Sequence, residues 1–219
     1  MNKILIVLFA ALISSPIFSQ DDKNNDKGDK KSREMLDRLT AKTESYKSVS
    51  IEFAYKMKNE DADIDEQTDG KLTIMGNRYL LDIAGQKVIC DGTTIWTYIE
   101  DAEEVQINSL EDSEESISPN KLLSSYNDDY RSKFIRQDFM YGTQVNIIDL
   151  TPIEGKSYFK VRLIIDKSKD QLLEITIFDK NGSTYSYIIS KFVTDVPVSK
   201  NDFIFQAKDY PEVEVVDMR

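Results

Sequence analysis

From residue 49 the chain alternates apolar and polar side chains with a period of two. Val49, Ile51, Phe53, Tyr55 and Met57 are separated by Ser50, Glu52, Ala54 and Lys56, the pattern of a strand with one wet face. Short β-branched or aromatic runs follow at 71–75, 78–83, 86–90, 94–99 and 104–108, divided by Asp69-Gly70, Gly76-Asn77, Gly85 and Asp91-Gly92. Such pairs read as turns, because glycine, asparagine and aspartate tolerate the backbone a tight reversal needs. Connections this short join antiparallel neighbours. The same grammar returns at 133–137, 144–150, 158–166, 172–179 and 184–192, with Asp179-Lys180-Asn181-Gly182 as a hairpin turn. Ahead of the strands the period is different. Met35, Leu36 and Leu39 recur at three-to-four spacing behind Ser32, a capping residue, which predicts one amphipathic helix reaching about Ser45. A shorter helical piece starts at Ser118-Pro119 and carries Leu122 and Leu123; it is too short to stand without a sheet beneath it. After Phe203, Ile204 and Phe205 the chain reads as a polar tail.

No helix-period segment of substantial length separates the strands, so a parallel βαβ arrangement is excluded and one long antiparallel sheet is expected. A twisted sheet of about ten strands tends to curl and half close. The expected fold is therefore mainly β: a single antiparallel sheet curled into an unclosed half-barrel, with an N-terminal helix and a short helical lid over an apolar cavity. Strand parity assigns Ile51, Phe53, Tyr55, Leu72, Ile74, Tyr79, Leu81, Val88, Trp96 and Tyr98 to the inner wall, with Leu122 and Leu123 as the lid. Taken singly, such residues make an ordinary filled core. Two helical pieces are few for filling so wide a concavity, which points to space left for a ligand.

The N-terminus changes what the rest must do. Met1, Asn2 and Lys3 form a short basic start, residues 4–13 are an unbroken apolar run, and Ser14, Ser15, Pro16 and Ser19 end it. The apolar run is about half the roughly 20 residues that a spanning helix needs, so residues 1–19 read as a cleaved signal peptide and the chain as exported to the periplasm. Residues 20–31 are polar and glycine-containing, a disordered tether, and 32–219 form the folded domain. Cys90 is the only cysteine, so there is no lipidated cysteine at the cleavage site and no internal disulfide.

Formal charge is −11, or −12 once Lys3 leaves with the signal, which argues against nucleic acid or an anionic membrane surface as partner. The absence of histidine removes Ser-His and Cys-His nucleophile pairs and every histidine metal site. Acids cluster at 101–115 without a paired catalytic motif. No catalytic residue, metal or cofactor is expected, and Cys90 reads as a small buried hydrophobe without a basic neighbour to activate it.

The order of motifs resembles the LolA-type periplasmic lipoprotein carrier family over nearly the whole mature chain. Ser48 opens an S-V-S-I-E-F strand, Gly70 opens G-K-L-T-I, and V-I-C-D-G-T-T-I-W-T-Y runs from Val88 to Tyr98. Glu104-Val105-Gln106 follows as the return strand, then Ser118-Pro119 with Leu122-Leu123, then F-I-F ending at Phe205 and Y-P-E-V-E-V-V-D ending at Asp217. The resemblance implies an unclosed barrel whose interior takes the acyl chains of lipoproteins. It further implies that they arrive from an inner-membrane lipoprotein-releasing ATP-driven (ABC) transporter and leave to an outer-membrane receptor, the carrier being a monomer and not an enzyme. One position departs from the family. The basic residue and proline that latch the lid in such carriers correspond here to Met75 and Gly76, with Arg78 nearby as a substitute latch or a plain surface residue. A lipid-sensing regulatory domain, or a carrier for another lipid or pigment precursor, would share the same features.

Overall fold

The computed structural model describes residues 29–110, 129–210 and 213–219. It opens with the helix α1 (Lys30–Glu44), capped by Asp29, whose carboxylate accepts the Ser32 amide at 2.8 Å. The cap thus lies three residues ahead of the expected Ser32, which is instead fully buried with its hydroxyl 2.8 Å from that of Ser132. The end of the expected tether is therefore already helical.

The strands fall into two meanders. The first comprises β1 (Val49–Asn59), β2 (Ile64–Met75), β3 (Arg78–Ile83), β4 (Gln86–Cys90), β5 (Thr94–Ile99) and β6 (Glu104–Ser109). The second comprises β7 (Tyr130–Met140), β8 (Thr143–Pro152), β9 (Tyr158–Asp166), β10 (Gln171–Asp179) and β11 (Thr184–Thr194). An antiparallel seam between β1 and β11 joins them, and β12 (Glu214–Asp217) pairs in parallel with β6. The result is one unclosed sheet ordered β12-β6-β5-β4-β3-β2-β1-β11-β10-β9-β8-β7.

Helix α1 lies on one face of this sheet, called the inner face. Its stripe Met35, Leu36 and Leu39 packs with Ile148, Leu150, Val161, Leu163, Ile165 and Leu172, so the β7–β10 half of the inner face is filled. Both Leu36 and Leu39 are essentially inaccessible, and burying side chains of this size stabilises by about 1.5–3 kcal/mol each. Over the β1–β6 half no described helix lies.

Two segments depart from the expected pattern. Strand β2 begins at Ile64, and Asp69-Gly70, read as a turn, sits inside it. Gly70 is there for packing: the Phe53 ring lies over it, and a Cβ at that position would fall 2.5 Å from the ring. The C-terminal tail is not free. Residues 195–210 cross the outer face as two short 3-10 turns, burying Phe203 completely, and lead to the parallel strand β12. The expected lid at Ser118, Pro119, Leu122 and Leu123 lies outside the described residues, as does the signal segment 1–19.

Candidate functional site

Side chains directly opposite one another across a ladder share a face, so the register sorts the inner wall residue by residue. One row runs Ile51, Leu72, Leu81, Val88, Thr97, Gln106. A second runs Val49, Ile74, Tyr79, Cys90, Ile95, Asn108, and a third Phe53, Gly70, Ile83, Gln86, Ile99, Glu104. Eight of the ten residues assigned to the inner wall therefore do share a face: Ile51, Phe53, Tyr55, Leu72, Ile74, Tyr79, Leu81 and Val88.

Trp96 and Tyr98 do not. Ile89 stands opposite Trp96 and Lys87 opposite Tyr98, which places both aromatics on the outer face. There they hold the C-terminal segment: Trp96 stacks with Phe205 at 6.5 Å, Phe205 with Tyr210 at 5.0 Å, and Tyr98 lies 4.7 Å from Tyr210 between centroids. The connection 91–93 inverts parity, so odd residues of β5 face as even residues of β4 do. Because β4 and β5 are oily on both sides, alternation alone does not reveal the inversion. Arg78 likewise belongs to the outer-face parity of β3, near Asp91. Burial works against the Asp91 carboxylate, but hydrogen bonds from Thr94 and Thr93, with a smaller contribution from the Arg78 charge, hold it below the usual carboxylate range.

The inner wall is only partly covered. Val49, Ile51, Phe53 and Leu72 are buried, whereas Ile74, Tyr79, Leu81, Ile83 and Val88 are half-buried. Where α1 ends, a cavity of about 290 Å³ opens between the helix and the seam, lined by Tyr46, Val49, Ile51, Ile74, Leu172 and Phe192 among others. Its exposed wall is chiefly hydrocarbon, although Glu44, Lys47 and Asp170 also line it. Tyr187 rests against Phe53 at 5.7 Å and Tyr55 at 5.2 Å, and burial pushes its hydroxyl up to about 12. Burial does the same for Tyr79, also to about 12, with the Cys90 thiol adding to it. Cys90 itself is inaccessible, and burial raises its thiol, so it packs as a small apolar residue.

A larger hollow of about 500 Å³ lies on the other side of the sheet, between β2–β4 and the segment 201–210. Lys71, Asp82, Lys87, Asp202 and Asp209 line it. Walls this charged are unsuited to hydrocarbon, so size alone does not identify the site; the smaller inner cavity is the one continuous with the half-covered oily wall.

An open half-barrel, helix-filled on one side of its inner face and oily but only half-covered on the other, defines a fold for sheltering apolar ligands. The family model described as "Outer membrane lipoprotein carrier protein LolA" matches residues 44–206, and the chain belongs to that family. An "Outer-membrane lipoprotein carrier protein" of Shewanella amazonensis is 21% identical over 213 residues, covering 95% of each chain. Among solved structures, an uncharacterized conserved protein from Thermus thermophilus superposes with a TM-score of 0.61 at 11% identity, covering 86% of this chain and 99% of that one. A LolA superfamily protein from Nitrosomonas europaea superposes with a TM-score of 0.44 at 13% identity, covering 80% and 97%.

Proposed function

We propose that this protein is a periplasmic carrier that shelters the acyl chains of lipoproteins between an inner-membrane ABC transporter and the outer membrane, without making or breaking a bond. One observation carries the reading. The half-exposed inner side chains Ile74, Tyr79, Leu81 and Val88 share one face with the cavity beside the seam, which Ile74 also lines. Each methylene moved from water into such surroundings gains about 0.8 kcal/mol, so a wholly buried chain of about fifteen methylenes gains roughly 12 kcal/mol. A volume near 290 Å³ is at the small end of ligand sites and holds part of one chain, the remainder lying along the open wall. Partial cover also suits release. A carrier adds no driving force of its own, so transfer requires an acceptor that binds the lipid better.

The neighbours Leu80 and Leu81 provide the test, because both are half-buried and they point to opposite faces. In the full mature chain, Leu81→Asp is expected to reduce retention of a triacylated lipoprotein in solution at least tenfold, whereas Leu80→Asp retains it, folding being checked by circular dichroism. Equal retention by a folded Leu81→Asp protein, or equal loss from both variants, overturns the assignment of the inner wall.

A further inference from the structure

Every one of the three inner rows ends on a polar residue at the same strand, although Gln86 on β4 and Thr97 on β5 are already polar. They begin with Ile51, Val49 and Phe53 on β1 and end with Gln106, Asn108 and Glu104 on β6. Strand β6 is therefore inverted relative to β1: its apolar side chain Val105 faces outward, fully buried, and its polar side chains face inward. The inversion is not needed to satisfy the strand itself. Gln106 donates from Nε2 to the Glu104 carboxylate at 2.8 Å, but the Thr97 hydroxyl and the side-chain amide of Asn108 hydrogen-bond with no other described residue. Across all three rows, from β1 to β6, the only charge is Glu104, and Glu214 of β12 stands beside it. No lysine or arginine shares those rows.

We infer that this β6 stripe is the headgroup end of the lipid site, and that it favours a neutral ester- and amide-linked head over an anionic phospholipid. The inference rests on the carrier reading and sharpens it. Side-chain amides both donate and accept, so Gln106 and Asn108 match the ester carbonyls and peptide groups of an acylated glyceryl-cysteine terminus. A phosphodiester meets the opposite environment. At β6 it finds no cation in these rows to pair with, Lys47 lying at the far, seam end of the site, and it meets the Glu104 carboxylate, where two like charges a few ångströms apart repel more strongly than in water. Hydrocarbon tails toward β1 and the seam, and a neutral head at β6, give the ligand a direction in the site. Mispairing phosphate with Glu104 is expected to weaken binding about tenfold, which corresponds to about 1.4 kcal/mol.

The test is competition for a fluorescent fatty-acyl probe by two ligands with the same two palmitoyl chains: a diacylglyceryl-cysteine peptide of neutral sequence, and phosphatidylglycerol. With the full mature chain, the lipopeptide is expected to compete about tenfold better. Glu104→Lys should bring the two within about twofold, and Glu104→Gln should lower the ratio part of the way. Asp101→Lys, which makes the same charge change in the neighbouring turn, should leave it unchanged. Equal competition in the native protein, or an equal response to Glu104→Lys and Asp101→Lys, overturns the headgroup assignment while leaving the carrier reading intact. Failure of both lipids to displace the probe overturns the two together.

Discussion

Asp29 ties the first turn of α1 to the edge strand β7, and removing its side chain tests how the helix is held to the sheet. Its Oδ1 accepts the Ser32 amide at 2.8 Å, its Oδ2 accepts the Phe134 amide on the edge strand β7 at 2.6 Å, and its own amide donates to the Ser132 carbonyl at 3.0 Å. Replacing the cap by alanine costs about 1 kcal/mol of helix stability. Losing a charged acceptor for the Phe134 amide costs a further 1.5–3 kcal/mol, roughly, because a partly buried donor is left without its partner. Asp29→Ala should therefore destabilise by about 2.5–4 kcal/mol, the backbone bond to Ser132 surviving. Asp29→Asn keeps one acceptor for the cap and loses the other, so it should fall between alanine and the native residue. The assay is urea unfolding followed by circular dichroism, read as a lower midpoint at unchanged slope. An Asp29→Ala loss below about 0.5 kcal/mol, or an asparagine variant as unstable as alanine, would refute the double-anchor account.

Two further expectations follow from the inner and outer faces. Trp96 is the only tryptophan, so its fluorescence reports on the outer face alone; a lipopeptide with brominated acyl chains should leave it unquenched, yet strongly quench a tryptophan placed by Leu81→Trp in a Trp96→Phe background. Quenching of native Trp96 would reverse the face assignment. Gly70→Ala sets a Cβ against the Phe53 ring and should cost about 1–3 kcal/mol in urea unfolding, a loss that Phe53→Leu in the same chain partly recovers; additive losses would show that the two residues do not interact.

The hydrophobic pattern was most legible where one face of a strand is wet. In β1, the alternation of Ile51, Phe53 and Tyr55 with polar residues set both the strand and its buried side, and the row through Leu72, Leu81 and Val88 followed from short turns. It failed where a local pattern has no wet side or no local partner. Strand β5 reads I-W-T-Y-I, oily on both faces, so the face of Trp96 depended on the register across residues 91–93. The first half of β2 carries Asp65, Glu66 and Asp69 and pairs with the polar end of β1, a hairpin arm held chiefly by backbone hydrogen bonds that leave no hydrophobic trace. Strand β12 has a partner more than a hundred residues earlier, and its acidic residues resemble a tail until β6 is beside it. The inward polar stripe of β6 was present in the alternation of Glu104, Gln106 and Asn108 with Val105 and Ile107, but it resembles an ordinary solvated face unless the inside of the barrel is known.

The seam that joins the meanders also sets when the site comes into being. Val49 pairs with Thr194 and Ile51 with Phe192, contacts more than a hundred residues apart, whereas most other ladders close through short turns. Long-range closure of this kind is the slow, entropically expensive part of folding. The two meanders can form from local contacts, but the cavity lacks the wall made by Ile189 and Phe192 until β11 has zipped onto β1. Until that seam closes the wall beside α1 is incomplete, so competence to hold an apolar ligand waits on the most distant pairing in the sheet.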